Sequence, residues 1–489
     1  MVIHRKQFLI SSKKYIREDF NYIDLDNNLI LSYQQELKIQ VIETILGKAY
    51  ILGLAYQVKK DKNTPIEELK KIITEEEILD ILSTWSGRYI VILNSKLYMD
   101  FGGILGCFYG KDKNGTTYVS SSLALIKENF NINELEYEKI ERNSSMDWYP
   151  GPLTILENTY RLLPSEILNI YTLEKKFKNY KIDFSNFHQE ELKKEFIESF
   201  SNLLKNIEKE FNGDLLLPLT GGTDSRTILA FLLKNNIKFS SYIMEGDTKL
   251  ESFDLETGKK IAKKFGFSHK IIKKNKVDKI LCEKREKEFL EHSLGQSING
   301  GREFIKYGLY DEIENKSLIL RGGVFEGTLK YYFSLVNEKE NNKRLEKIIE
   351  YFNLKEEELF RNKSLKLWLQ SIKENKIDLD WRQRFYIEQR VGGWLSSIEQ
   401  AEDLKNIETI HPMNSSYLVS LFWAFSDEYL TKTRRGQKEI IREVYPELLL
   451  FPFNKRTSID ILKRGIQIYK QEGFITMLKK GYRKLVVKK

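Results

Sequence analysis

The sequence predicts an α/β protein of two domains, an N-terminal antiparallel β-sheet domain over residues 1–185 and a C-terminal domain over residues 190–489. The second is expected to hold a doubly wound parallel sheet and a helical C-terminal part. Three observations support this. A chain of 489 residues is longer than one ordinary hydrophobic core requires. Before residue 185, β-rich runs alternate with turn residues, and after residue 190 short apolar runs alternate with helical patterns.

The composition is that of a globular protein. Apolar residues make up 41% of the chain and aromatic residues 12%, which is too much for a disordered polymer. No stretch approaches the roughly 18 apolar residues of a membrane span, and the N-terminus lacks the apolar segment of a signal peptide. We therefore expect a cytoplasmic protein without stable membrane insertion.

The charge pattern bears on partners. The net charge of +9 would by itself suit nucleic acid, but the 79 basic residues are interspersed with 70 acidic ones along the whole chain. This pattern is typical of a solvated, lysine-rich surface, so no nucleic-acid partner is expected. The basic C-terminal stretch MLKKGYRKLVVKK favours a solvated helix over weak contact with an anionic membrane. The sequence leaves the oligomeric state open, a homo-oligomer included.

Cysteine and histidine usage argues against a structural metal. Cys107 and Cys282 are the only cysteines, and they lie far apart, so neither a disulfide framework nor a CxxC site is available. The histidines are scattered without paired spacing. A structural metal is therefore not expected.

The N-terminal part shows hairpin signals. GRYIVILNSKLYMDFGG contains two β-rich runs joined at residues 94–96, and CFYGKDKNGTTYVSSS repeats the arrangement around the Asn114–Gly115 pair. EILNIYTLE, at residues 166–174, predicts a further strand. An antiparallel sheet with a few helices follows from these signals.

The C-terminal part is predicted to begin with strand 215–219, helix 224–235, strand 240–244 and helix 252–265. SLILRGG, at residues 317–323, predicts another strand, and residues 380–450 are predicted to be helical. Ligands bind such sheets where strands end and helices begin.

One strand-to-helix turn carries the main functional signal. LTGGTDSRTILAF, residues 219–231, places Gly221 and Gly222 between a buried run and a helix, with hydroxyls on Thr220 and Ser225. Glycines let an anion approach the backbone, and a helix N-terminus offers free N–H groups. An ordinary turn with Asp or Ser as helix cap is the alternative interpretation. The anion-binding interpretation requires that the turn opens into a cavity and is not filled by its own side chains.

The whole string resembles the SGGxDS pyrophosphate loop of the ATP pyrophosphatases, and the resemblance continues as in the asparagine synthetase-like family. It implies that ATP and Mg²⁺ are the cofactors, that SYIM lines the adenine pocket, and that Asp254 opens the following helix. The residues implied to bind the nucleotide are Leu219, Thr220, Gly221, Gly222, Asp224, Ser225, Met244 and Gly322.

The implied metal ligands are Asp224 and Glu326. LRGGVFEG is similar to the family's LSGxGxDE segment, but Glu326 occupies the position at which the family has an aspartate. A glutamate keeps the oxygen ligand that Mg²⁺ prefers and adds one methylene, so the metal geometry must adjust.

The N-terminal domain resembles the glutaminase-type domain of the same family, on WSGRYIVIL, LYMDFGGILGCFYG and WYPGPLTILENTYRLLPSEIL. Working glutaminases of this family use an N-terminal cysteine, whereas this chain begins Met-Val-Ile-His, and neither Cys107 nor Cys282 can replace that thiol. Relatives that lost the cysteine include β-lactam synthetases, carbapenam synthetases and lasso-peptide cyclases. The resemblance implies an AMP-forming ligase that joins small-molecule or peptide carboxylate and amine substrates without hydrolysing glutamine.

Catalytic residues are expected in the late part of the chain. Family members carry a lysine in a late loop, which points to Lys455 or Arg456, with Lys438 as an alternative phosphate contact. A base for the amine proton is predicted from Tyr386 and Glu388, although residues two apart face different sides of a helix. A structural ion pair is the alternative interpretation for Glu388.

Three functional classes are compatible with the turn. An AMP-forming carbon–nitrogen ligase is the first, and a non-catalytic nucleotide-binding or scaffold homologue of asparagine synthetase is the alternative. Enzymes that modify tRNA or transfer sulfur with the same loop normally use several cysteines, which argues against that class here.

Overall fold

The computed structural model describes residues 4–60, 63–140, 144–245, 249–273, 278–293, 313, 316–355, 359–404, 407–430 and 433–453. The predicted α/β class is confirmed, with antiparallel sheets in the N-terminal part and a five-stranded parallel sheet later in the chain. No helix among the described residues is long and apolar enough to cross a membrane.

Two six-stranded antiparallel sheets form the N-terminal part, in the spatial orders β10-β8-β9-β1-β3-β2 and β12-β11-β7-β6-β5-β4. Their strands are β1 (Phe8–Ser11), β2 (Phe20–Asp24), β3 (Ile30–Gln34), β4 (Ile39–Thr44), β5 (Gly47–Gln57), β6 (Trp85–Leu93), β7 (Lys96–Met99), β8 (Phe108–Lys111), β9 (Thr117–Ser120), β10 (Thr159–Arg161), β11 (Glu166–Asn169) and β12 (Lys175–Phe177). Three short helices accompany them, α1 (Pro65–Lys70), α2 (Glu77–Ser83) and α3 (Leu123–Asn129).

The two sheets pack face to face over a shared apolar core. Phe8 and Leu31 of one sheet and Leu52 and Ile90 of the other belong to the same buried cluster. Both predicted hairpins are present, as β6 pairs with β7 and β8 with β9. Cys107 lies directly before β8 rather than inside a strand, and burial raises the pKa of its thiol.

A parallel sheet of order β15-β14-β13-β16-β17 forms the later part, and all of its neighbouring strands run parallel. Its strands are β13 (Asp214–Pro218), β14 (Ser240–Met244), β15 (His269–Ile272), β16 (Ser317–Leu320) and β17 (Glu408–Ile410). The associated helices are α4 (Gln189–Glu210), α5 (Thr223–Lys234), α6 (Lys249–Phe265) and α7 (Lys279–Ser293). The strand order reverses between β13 and β16, which makes their carboxyl ends a topological switch point.

The region after β16 is mainly helical. It contains α8 (Asn341–Phe352), α9 (Leu359–Glu374), α10 (Trp381–Arg384), a π-helix (Phe385–Leu395), α11 (Ser396–Glu402), α12 (Ser416–Trp423), α13 (Arg435–Val444) and 3₁₀ turns at Phe325–Thr328 and Pro446–Leu450. The prediction of a helical segment over 380–450 was wrong at β17. Three residues are too few for a periodic signal, and β17 is a strand because it pairs with β16.

A single buried apolar cluster continues from the N-terminal part into the later part. Phe101 and Trp148 belong to it, together with Phe231 of α5 and Phe385 of the π-helix. This shared core positions the π-helix beside the carboxyl ends of the parallel strands.

Candidate functional site

A cavity of about 570 Å³ opens at the carboxyl ends of β13, β14 and β16, at the switch point of the parallel sheet. One side is the turn into α5, another is the segment after β16, and the third is the π-helix. Of the residues predicted from the sequence, the structure brings the following to this cavity: Thr220, Asp224, Ser225, Met244, Asp254, Gly322, Glu326 and Tyr386. The expectation that Asp254 opens its helix was wrong, because α6 begins at Lys249 and Asp254 lies inside it.

The predicted anion-binding turn is the strand-to-helix turn before α5, which forms one side of the cavity. Some of its amides are already engaged: Gly221 N donates to Asp254 Oδ1 at 2.6 Å, Gly222 N to Thr220 Oγ1 at 3.1 Å, and Thr220 N to Ser225 Oγ at 3.3 Å. The turn therefore opens into a cavity, as required, but its own side chains and Asp254 occupy part of its hydrogen-bonding capacity. An anion at these amides would displace the Asp254 carboxylate and the hydroxyls of Thr220 and Ser225.

The first turn of α5 retains free capacity. The helix begins after Gly222 as N-cap, and no side chain caps it. Its first amides therefore lack side-chain acceptors among the described residues, and the helix dipole adds partial positive charge beside Asp224 and Ser225, which line the cavity. Leu219 lies behind the turn, where its side chain is fully buried in the apolar core.

Arg226 holds the turn in place through hydrogen bonds to backbone carbonyls. Its guanidinium donates to Gly221 O at 3.1 Å and to Phe451 O at 2.8 Å, and it also donates to Pro452 O. The turn is thereby attached to the segment that follows α13. Lys455 and Arg456, the predicted catalytic cations, come just after that segment and lie outside the described residues.

Asp224 and Glu326 face one another across the mouth of the cavity, with Arg434 between them. Arg434 Nη1 donates to Asp224 Oδ1 at 2.5 Å, and Arg434 Nη2 lies 3.5 Å from Glu326 Oε1. Gln437 Nε2 also donates to Asp224 Oδ1, at 2.7 Å. The two predicted metal ligands are thus brought to a common point, which is the position of the Arg434 guanidinium between the two carboxylates.

Burial acts on both acids, and the charge of Asp224 acts on Glu326 as well. Burial raises the pKa of Asp224, while Arg434 and Gln437 oppose the rise. Burial also raises the pKa of Glu326, Arg434 opposes it, and the charge of Asp224 adds to it. A second cation at this point would favour the ionised form of both carboxylates.

The two carboxylates fit a magnesium ion only together with a ligand. Among the described residues, no group of three histidine, cysteine or acidic side chains could hold a metal. Mg²⁺ is typically bound through one or two carboxylates, with substrate phosphates and water supplying the other oxygens. Asp224 and Glu326 satisfy the protein's share of that arrangement, and the longer glutamate still reaches the common point.

Gly322 allows this approach. A Cβ atom there would lie 2.7 Å from Asp224 Cβ, which is closer than real contacts permit. Next to it, Gly323 N donates to His411 Nδ1 at 3.1 Å, and His411 Nε2 lies 2.9 Å from Glu399 Oε1. The segment after β16 is therefore held on the far side from Asp224 by a buried histidine–glutamate pair.

The π-helix supplies the third wall. Tyr386, Arg390, Val391, Trp394 and Leu395 line the cavity from this helix. The Arg390 guanidinium lies 3.4 Å from the ring centroid of Trp394, and no hydrogen bond or ion pair within the described part of the chain engages it. This cation, stacked on Trp394 and without an acceptor among the described residues, lines the same cavity as the acidic pair.

Glu388 does not reach the cavity, so its predicted role as a base is not supported by the geometry. It is fully buried, accepts from Trp368 Nε1 at 2.6 Å and pairs with Arg384 Nη2 at 3.0 Å. Two residues along a helix point to different faces, so Tyr386 and Glu388 diverge. The alternative of a structural ion pair describes Glu388 better, with Arg384 as its partner.

Tyr386 is a hydrogen-bond donor in this structure. Its hydroxyl donates to Gly323 O at 3.1 Å, and burial raises its pKa well above the ordinary value for a phenol. Lys438, the alternative phosphate contact, is directed to Phe453, with Nζ 5.2 Å from the ring centroid, and does not line the cavity. Among the described residues, the cations that line or border the cavity are arginines.

Sequence reasoning missed Arg390, His411 and Arg434 as site residues. The adjacent arginines in TRRGQ gave a weak local signal for Arg434, but only one of the two reaches Asp224. His411 and Arg390 had no distinguishing pattern.

A scan against protein-family models finds no match for this chain, and a search of the curated proteins finds none either. The functional argument therefore depends on the cavity and on the motifs around it.

Proposed function

We propose that the protein is an AMP-forming carbon–nitrogen ligase. A carboxylate oxygen attacks the α-phosphorus of ATP and pyrophosphate leaves. The nitrogen of an amine then attacks the acyl carbon, AMP leaves and the nitrogen loses a proton. Activation is needed because oxide is a poor leaving group from a carboxylate, whereas AMP is a good one.

The observation that carries this proposal is the meeting of three features in one cavity. The Thr220–Ser225 turn, the acidic pair Asp224 and Glu326, and the cation Arg390 all border it. A helix N-terminus suits phosphate, paired carboxylates suit a metal bound to phosphate, and a stacked guanidinium suits a second anion. The resemblance of LTGGTDS and LRGGVFEG to the asparagine synthetase-like motifs supports the same interpretation.

Each wall has a role in the proposed reaction. The amides of the α5 first turn and the hydroxyl of Ser225 bind the departing pyrophosphate, while the β14 end with Met244 contacts the base of the nucleotide. Asp224 and Glu326 would hold Mg²⁺, which neutralises charge on the phosphates when bound. Arg390 orients the carboxylate of the substrate. Tyr386 holds the backbone at Gly323 and thereby the segment that carries Glu326.

The N-terminal part contributes no glutamine hydrolysis in this proposal. Cys107 is buried and its thiol pKa is raised, so it is a poor nucleophile. The amine comes from the substrates, either as a second molecule or from the same molecule as the acid.

A non-catalytic nucleotide-binding or scaffold role is the second candidate, and one observation favours it. The Asp254 carboxylate accepts a hydrogen bond from the Gly221 amide, and Arg434 donates one to Asp224. The proposed phosphate-binding and metal-binding groups therefore already have partners within the protein. The two candidates differ in turnover and agree on nucleotide binding.

Pyrophosphate exchange into ATP tests the ligase. Screened against pools of carboxylates with Mg²⁺, the wild-type chain should incorporate labelled pyrophosphate into ATP with at least one acid. Asp224→Asn should lower the exchange rate by about 100-fold or more, because it removes one metal ligand while keeping the size of the side chain.

The matched control is Asp214→Asn, which changes an exposed carboxylate at the opposite end of the same strand, β13. Cys107→Ala should also leave exchange unchanged. Full activity in Asp224→Asn would refute the metal assignment. Nucleotide binding without exchange for any acid would favour the scaffold role, and no nucleotide binding would remove both candidates.

A further inference from the structure

Arg434 occupies an unusual position for a helix-flanking arginine. It precedes α13 as its N-cap in a left-handed backbone conformation, with φ 61° and ψ 35°. Non-glycine residues adopt this conformation at a cost and keep it where the surrounding contacts demand it. Here the conformation places the guanidinium between Asp224 and Glu326, about 210 residues and 108 residues away in sequence.

We propose that Arg434 is the resident cation of this site, and that it exchanges partners when a nucleotide binds. In the empty cavity it neutralises Asp224 and Glu326 and competes with a free divalent cation for them. When a metal–nucleotide complex enters, the metal takes the carboxylates and Arg434 binds phosphate oxygens. This inference rests on the proposed function, because it assumes that the cavity takes a nucleoside triphosphate.

The charges at the common point support an exchange of partners. Two carboxylates and one guanidinium leave an excess of one negative charge. A divalent ion beside Arg434 would make the point positive, so the metal alone and Arg434 repel one another. A triphosphate brings enough negative charge for both cations, so metal and nucleotide should bind with positive coupling.

The shape of the guanidinium suits both sets of partners. Its two terminal nitrogens contact different acids, Nη1 with Asp224 and Nη2 with Glu326. The same planar fork fits two oxygens of a phosphate, whereas a lysine would present a single point charge. Arg434 is also partly accessible, with 22% of its side chain exposed, so it has room to move.

Gln437 keeps Asp224 in position during the exchange of partners. Its amide nitrogen donates to Asp224 Oδ1 at 2.7 Å, and its oxygen accepts from Arg434 Nη1 at 3.2 Å. Gln437 is fully buried on α13. When Arg434 turns away, Gln437 still orients Asp224 toward the common point.

Binding measurements on Arg434→Met test the inference. The probes are Mn²⁺ alone, followed by electron paramagnetic resonance, and ATP with Mg²⁺, followed by calorimetry. The variant should bind free Mn²⁺ about tenfold more tightly, because the competing cation is gone, and Mg-ATP about tenfold more weakly, because a phosphate partner is gone. The opposite signs separate this role from general damage to the site.

Two further variants complete the design. Arg435→Met changes the adjacent arginine, which pairs with Glu428 at the surface, and should shift neither dissociation constant by more than about twofold. Arg434→Lys keeps the charge and loses the fork, so it should exclude free Mn²⁺ nearly as well as the wild type yet bind Mg-ATP more weakly. If Arg434→Met does not fold, the Mn²⁺ and Mg-ATP affinities of Arg434→Lys still test the inference.

The outcomes separate a failure of the exchange role of Arg434 from a failure of the proposed function. If the wild type binds Mg-ATP but the Arg434 variants change both affinities in the same direction, or change neither, the exchange role is refuted while the proposed function stands. If the wild type binds no Mg-ATP, the proposed function fails and this inference fails with it.

Discussion

At the residue scale, Gly322 determines how closely the two acids of the site approach. It directly follows Arg321 after β16, and its missing side chain leaves room for Asp224. Gly222, in the facing turn, is less constrained, since a Cβ there would meet only Thr220 Oγ1, at 3.1 Å. Gly322 is therefore required to leave room for Asp224, whereas the steric constraint on Gly222 is weaker.

Gly322→Ala should weaken Mg-ATP binding by about tenfold or more, because the new methyl group displaces Asp224 from the common point with Glu326. Gly222→Ala is the matched control and should change the dissociation constant by less than about threefold, since the Thr220 side chain can rotate away. Calorimetric titration of both variants measures the difference. Equal effects would show that Asp224 is not positioned by the glycine.

At the element scale, the π-helix decides which side chains face the cavity. Its backbone is wound more widely than an α-helix, a geometry often associated with functional sites. Tyr386, Arg390 and Trp394 recur every four residues and all line the cavity, while Glu388 faces Trp368 and Arg384 on the other side. A single element thus separates a cavity wall from a buried ion pair.

Arg390→Met should raise the KM for the carboxylate that supports pyrophosphate exchange by about 10-fold to 100-fold, because a charge-assisted contact is lost. The KM for ATP should stay within about twofold, since the nucleotide occupies the opposite wall. Arg442→Met, at an exposed arginine paired with Glu439, is the control and should leave both constants unchanged. An increase confined to the KM for ATP would place the nucleotide, not the acid, beside Arg390.

At the scale of the whole molecule, buried charges join the antiparallel part to the parallel sheet. Arg88 of β6 makes two hydrogen bonds to Asp403, at 2.8 Å and 2.6 Å, directly after α11. Lys6 donates to Ile407 O at 2.7 Å and lies 3.2 Å from Glu408 of β17. The N-terminal part therefore supports β17, at the edge of the parallel sheet.

Asp403→Ala should lower the free energy of unfolding by about 3–5 kcal/mol, because it leaves the buried Arg88 without its partner. Asp427→Ala removes an exposed carboxylate that pairs with Lys330 and should cost less than about 1 kcal/mol. Urea unfolding of both variants provides the comparison. The double change Arg88→Met with Asp403→Leu should recover much of the loss, and no recovery would show that shape rather than charge holds the interface.

Several local elements of this protein can be predicted from its sequence alone. The hairpins around Asn94 and Gly115 and the strand–turn–helix unit over residues 214–234 follow from backbone preferences and periodicity within a few residues, and each is present. The short strand β17 and the orientation of Glu388 did not follow, because both depend on neighbours that are distant in the chain.

Which side chains meet in the cavity depends on long-range packing. Asp224 and Glu326 were predicted as a pair through a family resemblance, but the arrival of Arg434 between them depends on a left-handed backbone and on the packing of α13 against α5. Likewise, Arg390 is a site residue because Trp394 and the π-helix hold it there. Local propensity acts over a few residues, whereas the position of a charged side chain is determined by burial and by partners from distant segments.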